Sequence, residues 1–180
     1  MSSRSLDDPV LEERRLAALS HVRQYGDPVL RTPAEPITRF DAALREDAER
    51  MVAIMHDARG VGLAANQIGH LRRLLVLKPA DEDTPAVALC NPSIDWRSDE
   101  EEIATEGCLS IGEIVVEVPR AVSIRVSAQD LAGNEVTLEA DGYEARVIQH
   151  EVDHLDGILI LDRTTTEQRR EALRELRDGR

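Results

Sequence analysis

The middle of this chain, residues 71–138, is a succession of short apolar segments, and no other feature narrows the choice of fold as much. Turn-forming dipeptides such as Asn91-Pro92 and Gly133-Asn134 separate the segments. No helical pattern intervenes, and strands that follow one another directly favour antiparallel pairing over parallel βαβ units. The segments predicted as strands are 74–77, 86–89, 114–116, 122–126 and 136–138.

Helical patterns flank this region on both sides. Residues 41–58 carry apolar side chains at helical spacing, and Asp41 is a typical N-terminal capping residue. A second helix is predicted over 145–155, and an Arg- and Glu-rich helix over 166–177. A short helix is also expected over 10–19. The sequence therefore predicts one α+β domain in which a sheet region lies between helical ends.

Length and charge exclude several classes of protein. The 180 residues suit one domain, and the net charge of −13 argues against a protein that reads nucleic acid directly. Aromatic side chains make up only 2%, which limits stacking on bases and leaves the core to aliphatic residues. There is no apolar run of about 18 residues, so we expect no transmembrane helix. Residues 1–15 lack the apolar core of a signal peptide, so we expect a cytoplasmic protein without a membrane partner.

The segment from His150 to His154, HEVDH, has the HExxH spacing of metallohydrolases. On a helix, positions i and i+4 lie on one face about one turn apart, so the two imidazoles can bind the same ion. Glu151, the residue after the first histidine, can then reach a water molecule at that ion. A bare HExxH also occurs in ordinary helices with solvated charges, so its context must decide between the two interpretations.

A catalytic site of the zinc type has three protein ligands and an open fourth position. Cys108 is one candidate for the third ligand, and the glycine before it allows an unusual backbone path, although this thiol could also belong to the core. Cys90 lies in a predicted strand and is better interpreted as a core thiol. The other candidates are acidic residues and the histidines His21, His56 and His70.

A glycine-rich segment, GVGLAANQIG at residues 60–69, precedes the strand region. Its glycines do not have the GxGxxG spacing of a dinucleotide loop. No strand is predicted before it, which also argues against a Rossmann fold. On its own the segment could be a plain turn.

Taken together the segments are specific: GVGLAANQIG, EGCLS and QHEVDHLDG, in this order, resemble the signature motifs of the peptide deformylase family. The likeness extends from residues 25–31 to residues 161–163. It implies antiparallel β-sheets packed around a central helix that carries HExxH, with a C-terminal helix. We accordingly expect an N-terminal extension over 1–20, a catalytic domain over 21–163 and the C-terminal helix over 164–180.

The resemblance also implies an activity and a metal. The enzyme would remove the N-formyl group from the N-terminal formyl-methionine of nascent polypeptides and release formate. One divalent ion would be held by Cys108, His150 and His154, with Fe²⁺ as the active ion and Zn²⁺, Ni²⁺ or Co²⁺ able to replace it. Glu151 would be the general base that takes a proton from water and later delivers one to the departing amine.

Further residues acquire roles from the same resemblance. The side-chain amide of Gln67 and the backbone N–H of Leu109 would stabilise the oxyanion formed on the formyl carbon. Gly62 would let the substrate chain pass close to the backbone. The pocket for the methionine side chain would involve Val61, Tyr143 and Val147, although Val61 and Val147 could equally be ordinary core residues.

Three positions around the motifs are also of interest. Glu106 and Arg120, from the EGCLS and VPR segments, could form an ion pair that supports the strand before Cys108. Asp156 could support a ligand histidine, although a helix-end role is favoured. Gly112 stands where many relatives have proline, so the loop near it could be more mobile.

Two alternatives stay open at this point. HExxH alone would also suit a metallopeptidase that cuts internal amide bonds. A structural metal-binding module would instead need a fourth protein ligand, from His56, His70 or Cys90. The arginine-rich C-terminal helix could contact the ribosome near the peptide exit, as in some family members, or could be a solvated helix with internal ion pairs.

Overall fold

The computed structural model describes residues 8–81 and 83–179. The α-helices in these residues are α1 (Pro9–Leu19), α2 (Ala42–Asp57), α3 (Gly142–Leu155) and α4 (Thr166–Asp178). The strands are β1 (Gly62–Ala64), β2 (Leu74–Leu77), β3 (Val87–Arg97), β4 (Glu101–Gly107), β5 (Val115–Ala121), β6 (Ser123–Gln129) and β7 (Glu135–Asp141). No helix among the described residues is both long and apolar enough to span a bilayer.

The strands form two antiparallel sheets, as predicted. One sheet has five strands in the order β1-β2-β3-β6-β7, and β4 pairs with β5 in a separate two-stranded sheet. Helix α3 contacts strands of both sheets. The helix that carries the HExxH segment therefore packs against both sheets.

The helices begin at residues whose side chains cap them. Asp41 accepts a hydrogen bond from the backbone N–H of Leu44 at 3.2 Å, which confirms the predicted start of α2. Thr165 caps α4 in the same way. Helix α3 starts at Gly142, three residues earlier than predicted. The positive φ of this glycine, 54°, lets the chain turn from β7 directly into the helix.

The sequence missed two strands and misjudged one turn. Strands β1 and β4 were not predicted, because β1 is only three residues long and β4 is rich in exposed acidic residues. Strand β3 continues through Asn91-Pro92, where the sequence predicts a turn. Asn91 has φ of 52°, a conformation that asparagine tolerates, and the register with β6 shifts between Cys90 and Ser93. Its side chain bonds the backbone N–H and C=O of Ile37, so the irregularity is held in place.

The core is aliphatic, as the scarcity of aromatic residues predicts. The buried face of α2 packs against β1 and β2, and the buried face of α3 packs against the five-stranded sheet. A third cluster includes Ala172 of α4 together with Cys108, Ile111, Val118 and Leu161. Cys108 and the C-terminal helix therefore belong to the same apolar cluster.

Candidate active site

The two histidines of HExxH lie side by side on α3. Their Nε2 atoms are 3.2 Å apart, as helical spacing of i and i+4 predicts. His154 is buried, and Asn66 donates a hydrogen bond to its backbone carbonyl. The two imidazoles therefore present nitrogen atoms to one point.

Cys108 reaches the same point from a different part of the chain. It follows β4 and forms the N-cap of a short 3-10 helix, Leu109–Ile111. Its Sγ lies 3.2 Å from Nε2 of His154 and 3.5 Å from the backbone nitrogen of Ser110. The sulfur is thus aimed at the histidine pair by the turn that ends the strand.

These three side chains fit a single divalent ion. One ligand atom of each lies within 4.8 Å of the other two. In a tetrahedral site with bond lengths of about 2.0 Å to nitrogen and about 2.3 Å to sulfur, neighbouring ligand atoms lie about 3.3–3.6 Å apart, close to the observed separations. The spacing and the soft sulfur with two imidazoles suit a transition metal.

No other His, Cys, Asp or Glu among the described residues joins this group. His56 is exposed on α2, Nδ1 of His70 lies 3.8 Å from a carboxylate oxygen of Asp47, and Cys90 is buried in the core on β3. A set of three protein ligands leaves a fourth position open, which is typical of catalytic rather than structural sites.

Glu106 links His150 to two buried arginines. Its Oε2 lies 3.0 Å from Nδ1 of His150, and both its oxygens accept hydrogen bonds from Arg120 at 3.0 Å. Arg146 donates to Oε1 at 2.8 Å. Burial alone would raise the pKa of Glu106, but the contacts with His150 and Arg120 outweigh it and lower the pKa to about 2. The predicted Glu106–Arg120 ion pair is confirmed, and it forms part of a larger network.

The network extends to Asp153, which the sequence interpretation had not singled out. Asp153 accepts hydrogen bonds from Arg120 and, at 2.6 and 3.0 Å, from Arg163. Asp156 lies at the end of α3, the role that the sequence favours over support of a ligand histidine, and pairs with Arg73 at 2.7 Å. The carboxylate that contacts a candidate ligand histidine is that of Glu106.

The two imidazoles have opposite electrostatic surroundings. Burial lowers the pKa of His150, but its contacts with Cys108 and Glu106 outweigh burial and raise the pKa above its ordinary value. Burial and the neighbouring charge of His150 lower the pKa of His154. The site thus holds a neutral imidazole next to a position that favours positive charge, which a bound cation would supply.

The side chain of Glu151, on α3, is enclosed against the strand β1. It is 4% exposed, and burial raises its pKa to about 7. Its Oε2 has no hydrogen-bond partner among the described residues. A Cβ on Gly62 would lie 2.8 Å from both Cγ and Cδ of Glu151, so only glycine leaves room for this carboxylate.

Gln67 lies on a short 3-10 helix, Ala65–Ile68, directly after β1. Its Oε1 accepts a hydrogen bond from the backbone N–H of Ala64 at 2.9 Å, which orients the amide. The Nε2 group is consequently directed to Ser110 Oγ at 3.1 Å and lies 3.7 Å from Sγ of Cys108. An N–H donor is therefore fixed beside the three candidate ligands.

A cavity of about 360 Å³ opens onto this group. The resemblance gives catalytic, substrate-binding or metal-binding roles to ten residues, and the cavity walls contain nine of them, namely Val61, Gly62, Gln67, Cys108, Leu109, Tyr143, Val147, His150 and Glu151. The tenth, His154, is buried beside Cys108 and His150. Gly112 also lines the cavity and has φ of 67°, which proline cannot adopt.

The network residues Arg146, Asp153 and Arg163 were missed because their partners are distant in sequence. Arg146 contacts Glu106 across forty residues, and no local pattern marks such a pair. Asp153 does carry a signal, since it is three residues after His150 and therefore on a neighbouring part of the helix surface.

An α+β fold with an HExxH helix, a nearby cysteine and an open cavity defines a candidate metallohydrolase. The model of the polypeptide deformylase family matches residues 19–170. The chain belongs to the peptide deformylase family.

Individual relatives agree with this assignment. A peptide deformylase from Thermotoga neapolitana is 50% identical over 142 residues, which cover 79% of this chain and 85% of that protein. A peptide deformylase from Acidothermus cellulolyticus is 44% identical over 162 residues, which cover 90% of this chain and 88% of that protein.

Solved structures agree as well. The crystal structure of the Thermotoga maritima enzyme has a TM-score of 0.77 at 46% identity and covers 80% of this chain and 96% of that one. A Synechococcus elongatus peptide deformylase, solved in complex with actinonin, has a TM-score of 0.82 at 40% identity. The match covers 86% of this chain and 85% of that one.

Proposed function

We propose that this chain hydrolyses the N-terminal formamide of nascent polypeptides at the cavity between α3 and β1, with Cys108, His150 and His154 binding one divalent ion. Family membership makes the chain a hydrolase that removes the formyl group from such polypeptides. The convergence of the thiol and two imidazoles on one point, beside the buried carboxylate of Glu151, carries the proposal. When bound, the ion supplies a Lewis acid that polarises the formyl carbonyl and lowers the pKa of water.

Glu151 is proposed to move the proton. Its carboxylate takes a proton from the attacking water and later delivers one to the nitrogen of the departing amine. Burial supports this role, because it raises the pKa of Glu151 to about 7, where a group can both accept and donate a proton near neutral pH. The unpartnered Oε2 is available to the reacting molecules.

Gln67 and Leu109 are proposed to stabilise the developing oxyanion. The Nε2 of Gln67 is held beside Cys108 by the contact of its Oε1 with Ala64. Leu109 is the first residue of the 3-10 helix that Cys108 caps, and the first N–H groups of a helix have no intrahelical partner. Two fixed donors at the carbonyl oxygen would stabilise the transition state more than the planar substrate.

The outer part of the cavity is proposed to bind the peptide. Gly62 allows the substrate backbone to approach β1, and Val61, Tyr143 and Val147 provide apolar surface for the methionine side chain. Tyr143 is 60% exposed, so its ring is available at the rim of the cavity. Val147 is buried on α3, one turn before His150.

We further propose Fe²⁺ as the active ion, with Zn²⁺, Ni²⁺ or Co²⁺ able to replace it. At a given site of this type zinc binds more tightly than ferrous iron, so metal supply and handling decide which ion is present. A site containing iron next to the Cys108 thiolate would lose activity in air, because thiolates oxidise readily.

The remaining proposals concern location and domain limits. We place the catalytic unit at 21–163, with an N-terminal extension over 1–20 and the C-terminal helix over 164–180, and we propose that the enzyme works in the cytoplasm. Contact between α4 and the ribosome near the peptide exit stays a prediction, which loss of ribosome co-sedimentation on removal of this helix would support.

The decisive experiment measures formate release from formyl-Met-Ala-Ser by protein purified without oxygen, together with its metal content. The variant Glu151→Ala should keep about one metal ion per chain and lose about 10²–10⁴-fold in kcat. Glu144→Ala, on the same helix but outside the cavity wall, is the matched control. Full activity in the Glu151 variant would overturn the role given to this residue.

Two further substrates separate the alternatives. Acetyl-Met-Ala-Ser and a longer peptide without a formyl group should not be cleaved. Cleavage of an internal amide bond in the longer peptide would instead indicate a general metallopeptidase.

A further inference from the structure

Of the described residues that line the active-site cavity, one carries a charged side chain that faces solvent. The other acidic, basic and histidine side chains that line the cavity are largely buried and belong to the network or the reaction site, namely Glu106, Arg146, His150 and Glu151. Arg59 differs, because its side chain is 40% exposed. A peptide that leaves the cavity would thus meet a guanidinium group at its edge.

The backbone places Arg59 firmly at this edge. The residue follows α2 and has φ of 59°, and its N–H donates to the carbonyl of His56 at 3.0 Å. The next N–H, of Gly60, donates to Met55 at 2.8 Å. These hydrogen bonds end the helix, and the chain then continues into the cavity wall at Val61.

Helix α1 brings a carboxylate to the same guanidinium group. Oε2 of Glu12 lies 3.7 Å from a terminal nitrogen of Arg59, and Oε1 of Glu12 accepts a hydrogen bond from Arg15 at 2.8 Å. Arg14 pairs with Asp57 at 2.6 Å, which ties α1 to the end of α2. Residues 9–18 of this helix lie before the segment that the family model matches.

We propose that Arg59 is a specificity-determining residue that favours formylated peptides with Asp or Glu in the first two positions after the methionine, and that Glu12 moderates this preference. The inference rests on the proposed function. An extended peptide advances about 3.3 Å per residue, so these positions leave the cavity within reach of an arginine side chain at its rim. A carboxylate there gains a favourable charge interaction, while Glu12 partly offsets the charge of Arg59.

The test compares kcat/KM for three amidated peptides, formyl-Met-Ala-Ala, formyl-Met-Asp-Ala and formyl-Met-Lys-Ala, and for a second set with the charge one residue later. We expect the Asp peptide to exceed the Lys peptide by about two- to fivefold in at least one set, mainly through KM, as is typical of exposed ion pairs. The ratio should fall towards one in about 0.5 M salt.

Variants assign the effect to Arg59. Arg59→Gln should bring the Asp-to-Lys ratio close to one, and Arg59→Glu should reverse it. Arg45→Gln, which removes an exposed arginine of α2 that does not line the cavity, should leave the ratio as in the unmodified chain. An Asp-to-Lys ratio in Arg59→Gln equal to that of the unmodified chain would overturn the proposal.

The variant Glu12→Gln measures the contribution of α1. Glu13→Gln, which removes the same charge from the same helix, is the control. Glu12→Gln should increase the preference for Asp, whereas Glu13→Gln should not. Equal ratios in the two variants would contradict the role of Glu12. If all three peptides of both sets were hydrolysed with equal kcat/KM, this inference alone would be refuted. If none of them were hydrolysed, the proposed function would be refuted.

Discussion

The Nδ1 atom of His150 lies 3.0 Å from Oε2 of Glu106, and this contact determines how the histidine can act. Burial alone would raise the pKa of Glu106, but its contacts with His150 and Arg120 lower the pKa to about 2, so the carboxylate is ionised at neutral pH and can only accept. The Nδ1 of His150 must therefore carry the proton. Its Nε2, which lies 3.2 Å from Nε2 of His154, would then supply the lone pair to a bound ion, and binding would displace the second proton that the raised pKa favours in the absence of an ion.

Replacing Glu106 by glutamine should weaken metal binding about 10- to 100-fold, because partners of this kind orient the ligand and raise its basicity. The measurement is competition with a chelator, on protein whose circular dichroism shows that it is folded. Glu102→Gln, on the exposed side of the same strand, is the matched control. Equal metal affinity in the two variants would show that the contact with His150 does not support the ligand.

Local patterns in the sequence were sufficient to predict part of the candidate site. The spacing of His150 and His154 predicts that they share a helix face, and the structure shows this directly. The choice of Cys108 over Cys90 came from the resemblance to the family, because either thiol alone could have been a core residue. The contacts that surround the site, such as Arg146 with Glu106, join distant segments and leave no local pattern.

The fold shows the same division between local and distant information. Helices α2 and α4 were predicted to within one residue at each end, because capping residues and helical periodicity are local signals. Strand β4 was missed since its residues are mostly polar and exposed, and only pairing with β5 makes it a strand. The bulge at Asn91 depends on a bond to Ile37, which no reading of residues 89–93 could reveal.

The ion pair of Asp162 with Arg31 should make stability depend on pH. Burial raises the pKa of Asp162, but the hydrogen bond from Arg31 and the backbone N–H of Leu159 outweigh it, so the pKa is lowered in the folded state. A lowered carboxyl pKa contributes stability above the unfolded value of about 3.9 and loses that contribution as the pH falls through the folded value.

Asp162→Asn should accordingly lower the free energy of unfolding at pH 7 by about 1 kcal/mol, a modest amount because both partners are partly exposed. The difference from the unmodified chain should shrink as the pH falls below about 4. Urea unfolding at several pH values, with metal content matched, measures this. Asp99→Asn, at an exposed position, should show no such trend, and a difference that persists unchanged at pH 3 for Asp162→Asn would contradict the assignment.

Gly62→Ala should reduce activity about 100-fold, the order of loss expected when a reacting group is displaced by about 1 Å. The added methyl group would lie 2.8 Å from Cγ and Cδ of Glu151, so one of the two segments must move. Gly107→Ala is the comparison, since its methyl group would meet only Val115 at an ordinary 3.6 Å among side chains and should have a much smaller effect on kcat. Similar losses in both variants would show that the closeness of Gly62 to Glu151 is not the cause.

Gln67 offers the most direct separation between hydrogen-bond donation and simple packing. Its Oε1 is occupied by the N–H of Ala64, so its role in the reaction must come from the Nε2 group near Ser110 and Cys108. Gln67→Met keeps the length of the side chain without a donor, and Gln67→Glu keeps the acceptor for Ala64 but replaces the donor by a second oxygen.

Both Gln67 variants should lower kcat about 10²–10³-fold, the usual cost of removing one oxyanion donor. The effect should appear in kcat more than in KM, because the donor acts on charge that develops only in the transition state. Gln67→Glu should be the slower of the two, since its carboxylate would repel the oxyanion. If Gln67→Met retained full kcat while its metal content stayed unchanged, the oxyanion would have to be stabilised by Leu109 and the ion without help from residue 67.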